Sequence, residues 1–280
     1  MTAKRRTVGR LAPTPSGELH LGNVLAFGAA WLATRADAGE LLLRIEDVDT
    51  TRSREHWVEG LKNDLDWLGI HWDRETPRQS LRTYQAELES LGGVYYCRCT
   101  RAQLGGLPYM GTCRLQNHSE GAVRWEVPPD PIAFEDRKFG PQRVQPVDFG
   151  DPVLKRSDGC FSYNLAVVVD DIRDGVTQVV RGADLLEFTA VQISLWRAFG
   201  SKEPSFLHTP MVLGPDGKKL SKSHGSLSIR ALRESGKSPQ DVWRKVLPWL
   251  GLPGDDLHAA LPFFRPEIGP VGPIQIDAAD

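Results

Sequence analysis

Cysteine is scarce. Only Cys97, Cys99, Cys113 and Cys160 occur in 280 residues, too few for the disulfide framework of a secreted scaffold. Neither sign of charge dominates: 34 Lys plus Arg stand against 36 Asp plus Glu, a formal net charge of -2. That excludes a bulk-basic nucleic-acid binder and leaves any RNA contact to a local patch. No apolar run approaches the roughly 20 residues needed to span a bilayer. Lys4, Arg5 and Arg6 near the N-terminus are followed by Pro13, Pro15, Ser16 and Gly17 where the apolar core of a signal peptide would lie. Internal repeats and low-complexity tracts are also lacking. The expectation is a soluble, cytoplasmic protein without a membrane partner. Its length suits one large or two small domains and can bury a core unaided.

The first seventy residues read strand, helix, strand, helix, the opening of a parallel α/β sheet. Residues 7–12 read as a short strand, and 13-PTPSGELHLGN-23 is a turn-rich link. An apolar helix pattern runs from Leu21 to about Ala38, ended by Gly39. The run 40-ELLLRIED-47 suits a strand buried on both faces. Ser53 is placed to cap a helix with Trp57, Leu61, Leu65 and Leu68 on one face. Leu81, Tyr84, Leu88 and Leu91 predict a helix over residues 81–91. Beyond Val94 the character changes, with alternation at Val123, Trp125 and Val127 between dense turns. The block 164-NLAVVV-169 fits helix or strand equally. A strand at 176–182 and a helix at 185–199 resume the α/β pattern. Ser238, Pro239 and Asp241 mark a last helix start.

Three cysteines within 17 residues point to a metal site in a reducing compartment. Zinc takes four ligands, usually sulfur or imidazole. Cys97, Cys99 and Cys113 supply three. The fourth is open among His118, Cys160 and the chemically unusual phenol of Tyr109.

Two distant motifs carry the chemistry. One is 20-HLGN-23, between a strand and a helix; the other is 218-KKLSKS-223, in a loop after the strand-like 206-FLHTPMVL-213. Helix N-terminal amides beyond Gly22 can face phosphate or nucleotide. His20 can donate a hydrogen bond to phosphate, and Lys219 and Lys222 can close over a triphosphate as point charges. Either motif alone is weak. Together they resemble the two signatures of the class I aminoacyl-tRNA synthetases. Asn23 departs from the His of the first signature, as is general in the glutamyl branch. Leu220 replaces the methionine of the second with a residue of similar shape.

The stretches 9-GRLAPTPSGELHLGN-23, 44-RIEDVDTTRS-53, 161-FSYNLAVVVDD-171 and 178-QVVRGADLL-186 resemble the glutamyl branch of that class. The resemblance implies ATP and Mg2+, with His20, Lys219 and Lys222 catalytic and Gly22, Asn23, Ser221 and Lys222 on the nucleotide. It implies Arg10 on the glutamate side-chain carboxylate, lined by Leu11, Ala12, Pro13 and Thr14. Glu46 would hold the α-ammonium, and Tyr163 and Arg181 would complete the pocket. Two arginines and one carboxylate match a ligand with two carboxylates and one ammonium. Arg44, Glu46, Asp47 and Asp49 also fit a surface ion-pair cluster. That reading suits Asp47 and Asp49 better than Glu46, which ends an apolar strand where α/β sheets place ligand residues.

Only 57 residues follow Ser223, room for one helix near 239–250 but not for an anticodon-binding region. The chain thus resembles the glutamyl-queuosine tRNA(Asp) synthetases, and C-x-C…Y-x-x-x-C resembles their zinc site, which implies Cys97, Cys99, Tyr109 and Cys113 around one structural Zn2+. The implied fold is α/β. A Rossmann core of 1–76 plus 161–225 carries a zinc-containing α+β insertion at 77–160 and a short helical segment at 226–280. The implied partners are L-glutamate and queuosine-bearing tRNA(Asp), met by a monomer, with Arg98, Arg101, Arg137, Lys138 and Arg143 of the insertion as phosphate contacts. A truncated synthetase charging tRNA(Glu) and a non-catalytic zinc-containing RNA-binding module are the rival readings.

Overall fold

The computed structural model describes residues 6–220 and 228–276. Strand β1 (Val8–Leu11) leads into helix α1 (Leu21–Ala36), strand β2 (Glu40–Leu43), helix α2 (Glu55–Trp67) and the short strand β3 (Arg74–Glu75). The three strands are parallel, in the order β1-β2-β3. Gly9 is required by packing: a Cβ there would lie 2.1 Å from Thr34 Oγ1 on α1. Arg54, not Ser53, is the N-cap of α2. Ser53 Oγ instead donates to the Asp49 carbonyl at 3.1 Å, an alternative that such hydroxyls readily take.

The helix expected over 81–91 is shorter, α3 (Gln85–Ser90), and Leu81 is 78% exposed. Its first turn is lost to side-chain bonds. Ser80 N and Oγ both donate to the Asp47 carboxylate, and Gln79 Nε2 donates to Asp170 at 2.9 Å. There follow β4 (Val94–Cys97), α4 (Arg101–Leu104), β5 (Ala122–Trp125), β6 (Ile132–Asp136), β7 (Gly140–Val144) and β8 (Val153–Lys155). Strands β4, β5 and β8 make a separate antiparallel sheet. The β6–β7 hairpin, expected inside the insertion, instead joins the core sheet through β6.

The second half supplies α5 (Tyr163–Arg173), β9 (Gln178–Gly182), α6 (Thr189–Ala198), β10 (Ser205–Thr209) and β11 (Val212–Leu213). The ambiguous 164–169 block is thus helical, apolar and buried from Leu165 to Val169 because α5 packs between the core and the insertion sheet. Strands β9 and β10 pair in parallel, and β9 abuts β1, where Thr177 N donates to the Val8 carbonyl at 2.9 Å. The parallel strands therefore run β3-β2-β1-β9-β10, with the chain crossing over between β1 and β9. That is the doubly wound arrangement, whose ligand crevice opens beyond the carboxyl ends at the reversal point.

After the second motif come α7 (Ile229–Glu234), α8 (Pro239–Val246), α9 (Leu257–Ala260) and β12 (Ile274–Gln275). Ser238 caps α8 in a reciprocal box with Asp241, as its sequence predicts. Trp243 of α8 is buried and donates to the Leu68 carbonyl at 2.9 Å. Strand β12 pairs with β11, so the chain is ordered against the core through Ile276. Among the described residues no helix is long and apolar enough to cross a membrane.

Candidate active site and metal centre

At the β1/β9 crossover lies a cavity of about 380 Å³. Arg10, Ala12, Pro13, Thr14, Glu46, Tyr163 and Arg181 line one part, and His20, Gly22, Asn23 and Lys219 another. Residues from both ends of the chain thus meet in one cleft. Leu11 does not join the lining: its side chain is in the apolar core, and its carbonyl accepts from Arg44 N. Ser221 and Lys222 lie outside the described residues.

The floor of the cavity is an ionic network. Arg44 is fully buried, 2.7 Å from Asp171, 3.1 Å from Glu46 and 3.2 Å from Asp174. Arg10 lies 3.4 Å from Asp171 and donates to the Val180 carbonyl at 3.0 Å. The surface ion-pair cluster considered for Arg44 and Asp47 is therefore replaced by burial, with Asp47 satisfied by Ser80. Asp49, more exposed, does pair with Arg156 at 2.9 Å. Burial raises the Glu46 carboxyl above its ordinary value against the pull of Arg44 and Arg10. A cationic group entering the cavity would favour its charged form further.

His20 is the N-cap of α1. Its Nδ1 accepts from Asn23 N at 3.3 Å, and Asn23 Oδ1 accepts from His20 N at 3.1 Å. With Nδ1 an acceptor, the neutral ring carries its proton on Nε2, the donor that a phosphate requires. A Cβ on Gly22 would lie 3.1 Å from His20 Cε1 and Nδ1, so the glycine leaves room for the capping ring as well as for a ligand. Lys219 pairs with Asp184 at the cavity rim. Leu220 is buried in the core and donates to the Val212 carbonyl at 2.8 Å, anchoring the start of the second motif.

Sequence reasoning missed several lining or supporting residues: Asp184, Thr209, Met211, Asp171 and His208. Asp171 and Asp184 fall inside stretches already noted, but no spacing marks them out. His208 sits in an apolar strand and is fully buried.

In the insertion, the sulfur atoms of Cys97, Cys99 and Cys113 lie within 4.8 Å of one another. The Cys99–Cys113 separation is 3.7 Å, close to the ~3.8 Å expected for two thiolates on one tetrahedral zinc with ~2.3 Å bonds. The Tyr109 hydroxyl shares the cluster through the Cys97 and Cys113 thiols and accepts from Cys113 N at 2.6 Å. Arg124 stacks over the Tyr109 ring at 4.0 Å. His118 is not part of the cluster. Cys160 lies elsewhere, beside the Val48 carbonyl at 3.3 Å. The donor set thus fits a zinc ion.

Of the expected phosphate contacts, Arg143 is exposed, Arg98 pairs with Glu120, and Arg137 lies 3.6 Å from Asp37. Lys138 is buried and donates to the Ile268 carbonyl at 2.7 Å, so it is spent inside the protein. Arg137, Lys138 and Arg143 belong to the core-sheet hairpin rather than to the insertion sheet. The side chain of Arg101 lies outside the described residues.

Residues 6–107 and 112–259 match the family described as tRNA synthetases class I (E and Q), catalytic domain. The chain is 45% identical over 264 residues to a glutamyl-Q tRNA(Asp) synthetase of Nitratidesulfovibrio vulgaris, covering 81% of each chain. It is 43% identical over 269 residues to the protein of that name from Symbiobacterium thermophilum, covering 84% of this chain and 83% of that one. A glutamate–tRNA ligase of Aquifex aeolicus is 40% identical over 260 residues, but only 55% of its length is covered. The fold superposes on a glutamate-tRNA synthetase from Elizabethkingia anophelis with a TM-score of 0.83 at 25% identity, covering 98% of this chain and 69% of that one.

Proposed function

Because the chain belongs to the class I tRNA synthetases of the glutamate and glutamine type, and among them to the glutamyl-Q tRNA(Asp) synthetase family, we propose that it activates L-glutamate with ATP and transfers it to queuosine at the wobble position of tRNA(Asp). The observation that carries this reading is the single cavity shared by Arg10, Glu46, Tyr163 and Arg181 with His20, Gly22 and Lys219. In the first step the glutamate α-carboxylate attacks the α-phosphate of ATP, and pyrophosphate leaves. Arg10 and Arg181 hold the side-chain carboxylate and Glu46 the α-ammonium. His20 Nε2 donates to phosphate, and Lys219, released from Asp184, joins Lys222 in neutralising the departing pyrophosphate. Bound Mg2+ would supply further charge neutralisation. In the second step a hydroxyl of the queuosine cyclopentenediol attacks the acyl carbon, and AMP leaves. Cys97, Cys99, Tyr109 and Cys113 hold one zinc ion that ties the antiparallel insertion together and takes no part in the chemistry.

Two measurements test this. Glutamate-dependent exchange of labelled pyrophosphate into ATP should proceed without tRNA. Mass spectrometry should then find one glutamyl group on tRNA(Asp) carrying queuosine and none on tRNA(Asp) lacking it. Glutamate on the terminal adenosine of tRNA(Glu) would overturn the proposal in favour of a truncated synthetase, and absence of exchange would favour a non-catalytic RNA-binding module.

A further inference from the structure

Arg10 and Arg181 both line the amino-acid end of the cavity, yet their partners differ in kind. Arg10 is beside the Asp171 carboxylate. Arg181, which is 8% exposed, forms no ion pair with a carboxylate among the described residues. Its anchors are neutral. Nε donates to His208 Nε2 at 3.1 Å, Nη1 to Gln192 Oε1 at 2.6 Å, and Nη2 to Thr189 Oγ1 at 2.8 Å. The imidazole can accept because its other nitrogen is committed: His208 Nδ1 lies 2.7 Å from Asp136 Oδ2. The Asp136 carboxylate is itself fixed by His208 N at 3.1 Å, Lys138 N at 3.0 Å and Phe139 N at 2.9 Å. His208 and Asp136 are both buried, and neither lines the cavity.

A carboxylate placed directly on Arg181 would orient it equally well but would cancel its charge. An imidazole between the two keeps the orientation and moves the negative charge one ring further away. Arg181 lines the cavity with Tyr163, to which it is hydrogen-bonded, and although Asp171 acts on it from a distance, no carboxylate among the described residues forms an ion pair with it. We propose that His208, held in one tautomer by Asp136, is a positioning residue that aims the Arg181 guanidinium at the acidic side chain of the amino-acid substrate while leaving its charge for that substrate. This rests on the glutamate-activating reading above.

The test is steady-state pyrophosphate exchange by the full chain, varying glutamate and ATP separately. His208→Leu removes the acceptor at similar volume. It should raise the glutamate KM by ~10- to 100-fold, the range expected when one buried donor is orphaned. The ATP KM and the kcat at saturating glutamate should each stay within about threefold. His208→Gln restores an acceptor oxygen and should recover most of the loss. Thr189→Val, which leaves the imidazole in place, should raise the glutamate KM by less, about 3- to 10-fold, and keeps the question open to test if the leucine variant does not fold. An unchanged glutamate KM in these variants, or equal losses for glutamate and ATP, would overturn the proposal. A wild-type chain inactive with glutamate would overturn the activity itself, a different outcome from variants that match an active wild type.

Discussion

The amino-acid cavity and the cysteine cluster show two ways of holding polar groups in place. The cavity stands on strands and helices that bury a continuous apolar core, with Arg44, Asp171 and Asp174 locked beneath it. Its charges are oriented before any ligand arrives. The cysteine cluster has little behind it: Cys97, Tyr109 and Cys113 are buried, with Tyr95, Cys99 and Leu104 packed alongside. So small an apolar cluster contributes little, and three thiols with a phenol would gain stability from the zinc ion proposed above. The core therefore organises its site through packing, while the cysteine cluster, on the reading proposed above, relies on a bound ion.

Removing the metal should break this comparison open most visibly. With a chelator present, amide protection should be lost across 94–125 and 153–155. The hairpin 132–144, paired to the core sheet, should keep its protection. Uniform loss, or none, would erase the distinction. The core has its own weak point in Arg44→Leu, which strips the fully buried cation from Glu46, Asp171 and Asp174, leaving Asp171 only Arg10 at 3.4 Å and Asp174 only Arg82 at 2.8 Å. Stability to urea should fall by about 3–5 kcal/mol, and a change within about 0.5 kcal/mol would mean the network carries no structural load. A purely catalytic contrast comes from Lys222→Ala. In the role proposed above its charge matters most as pyrophosphate departs, so kcat should drop ~10²- to 10³-fold with glutamate affinity nearly unchanged. Parallel losses in both would contradict that role.

The smallest effect is one of pH. Burial, ahead of every other influence, lowers the His208 pKa; Arg181 pushes the same way, and Asp136 and Asp184 oppose. Thr189 Oγ1, 3.2 Å from its Nε2, is a neutral neighbour. A histidine kept neutral on folding contributes stability that is fully present above its unfolded pKa of about 6.5. That contribution is lost as pH falls towards the lower folded value, because the unfolded chain takes up the proton first. Between pH 7 and 5 the melting temperature of the native chain should fall more than that of His208→Gln. Parallel curves would mean that the ring does not titrate differently on folding.

Much of this arrangement was legible in the sequence. The apolar run after Glu40 and the motif at His20 placed β2 and the start of α1, and the resemblance to the glutamyl branch implied Arg10, Glu46 and Arg181, a set whose charges match the ligand. What stayed hidden depends on contacts between distant segments. Leu81 fits a helical stripe, but Asp47 and Asp170 capture the chain just before it. The β6–β7 hairpin lies among insertion residues, yet pairs with a strand some seventy positions later. His208 sits in an apolar strand where nothing local distinguishes a tethered acceptor from an ordinary core residue. Lys138 looked like a surface cation, and only the fold of residues near Ile268 shows it buried.

On the proposed reading, one cavity grips both an acidic amino acid and a nucleotide. A crystal structure with a non-hydrolysable glutamyl-adenylate analogue tests it most directly. The expected density has the side-chain carboxylate on Arg10 and Arg181, the ammonium on Glu46 and the adenosine against Gly22 and His20. An analogue bound elsewhere, or lying in the cavity with its two ends reversed, would contradict the account.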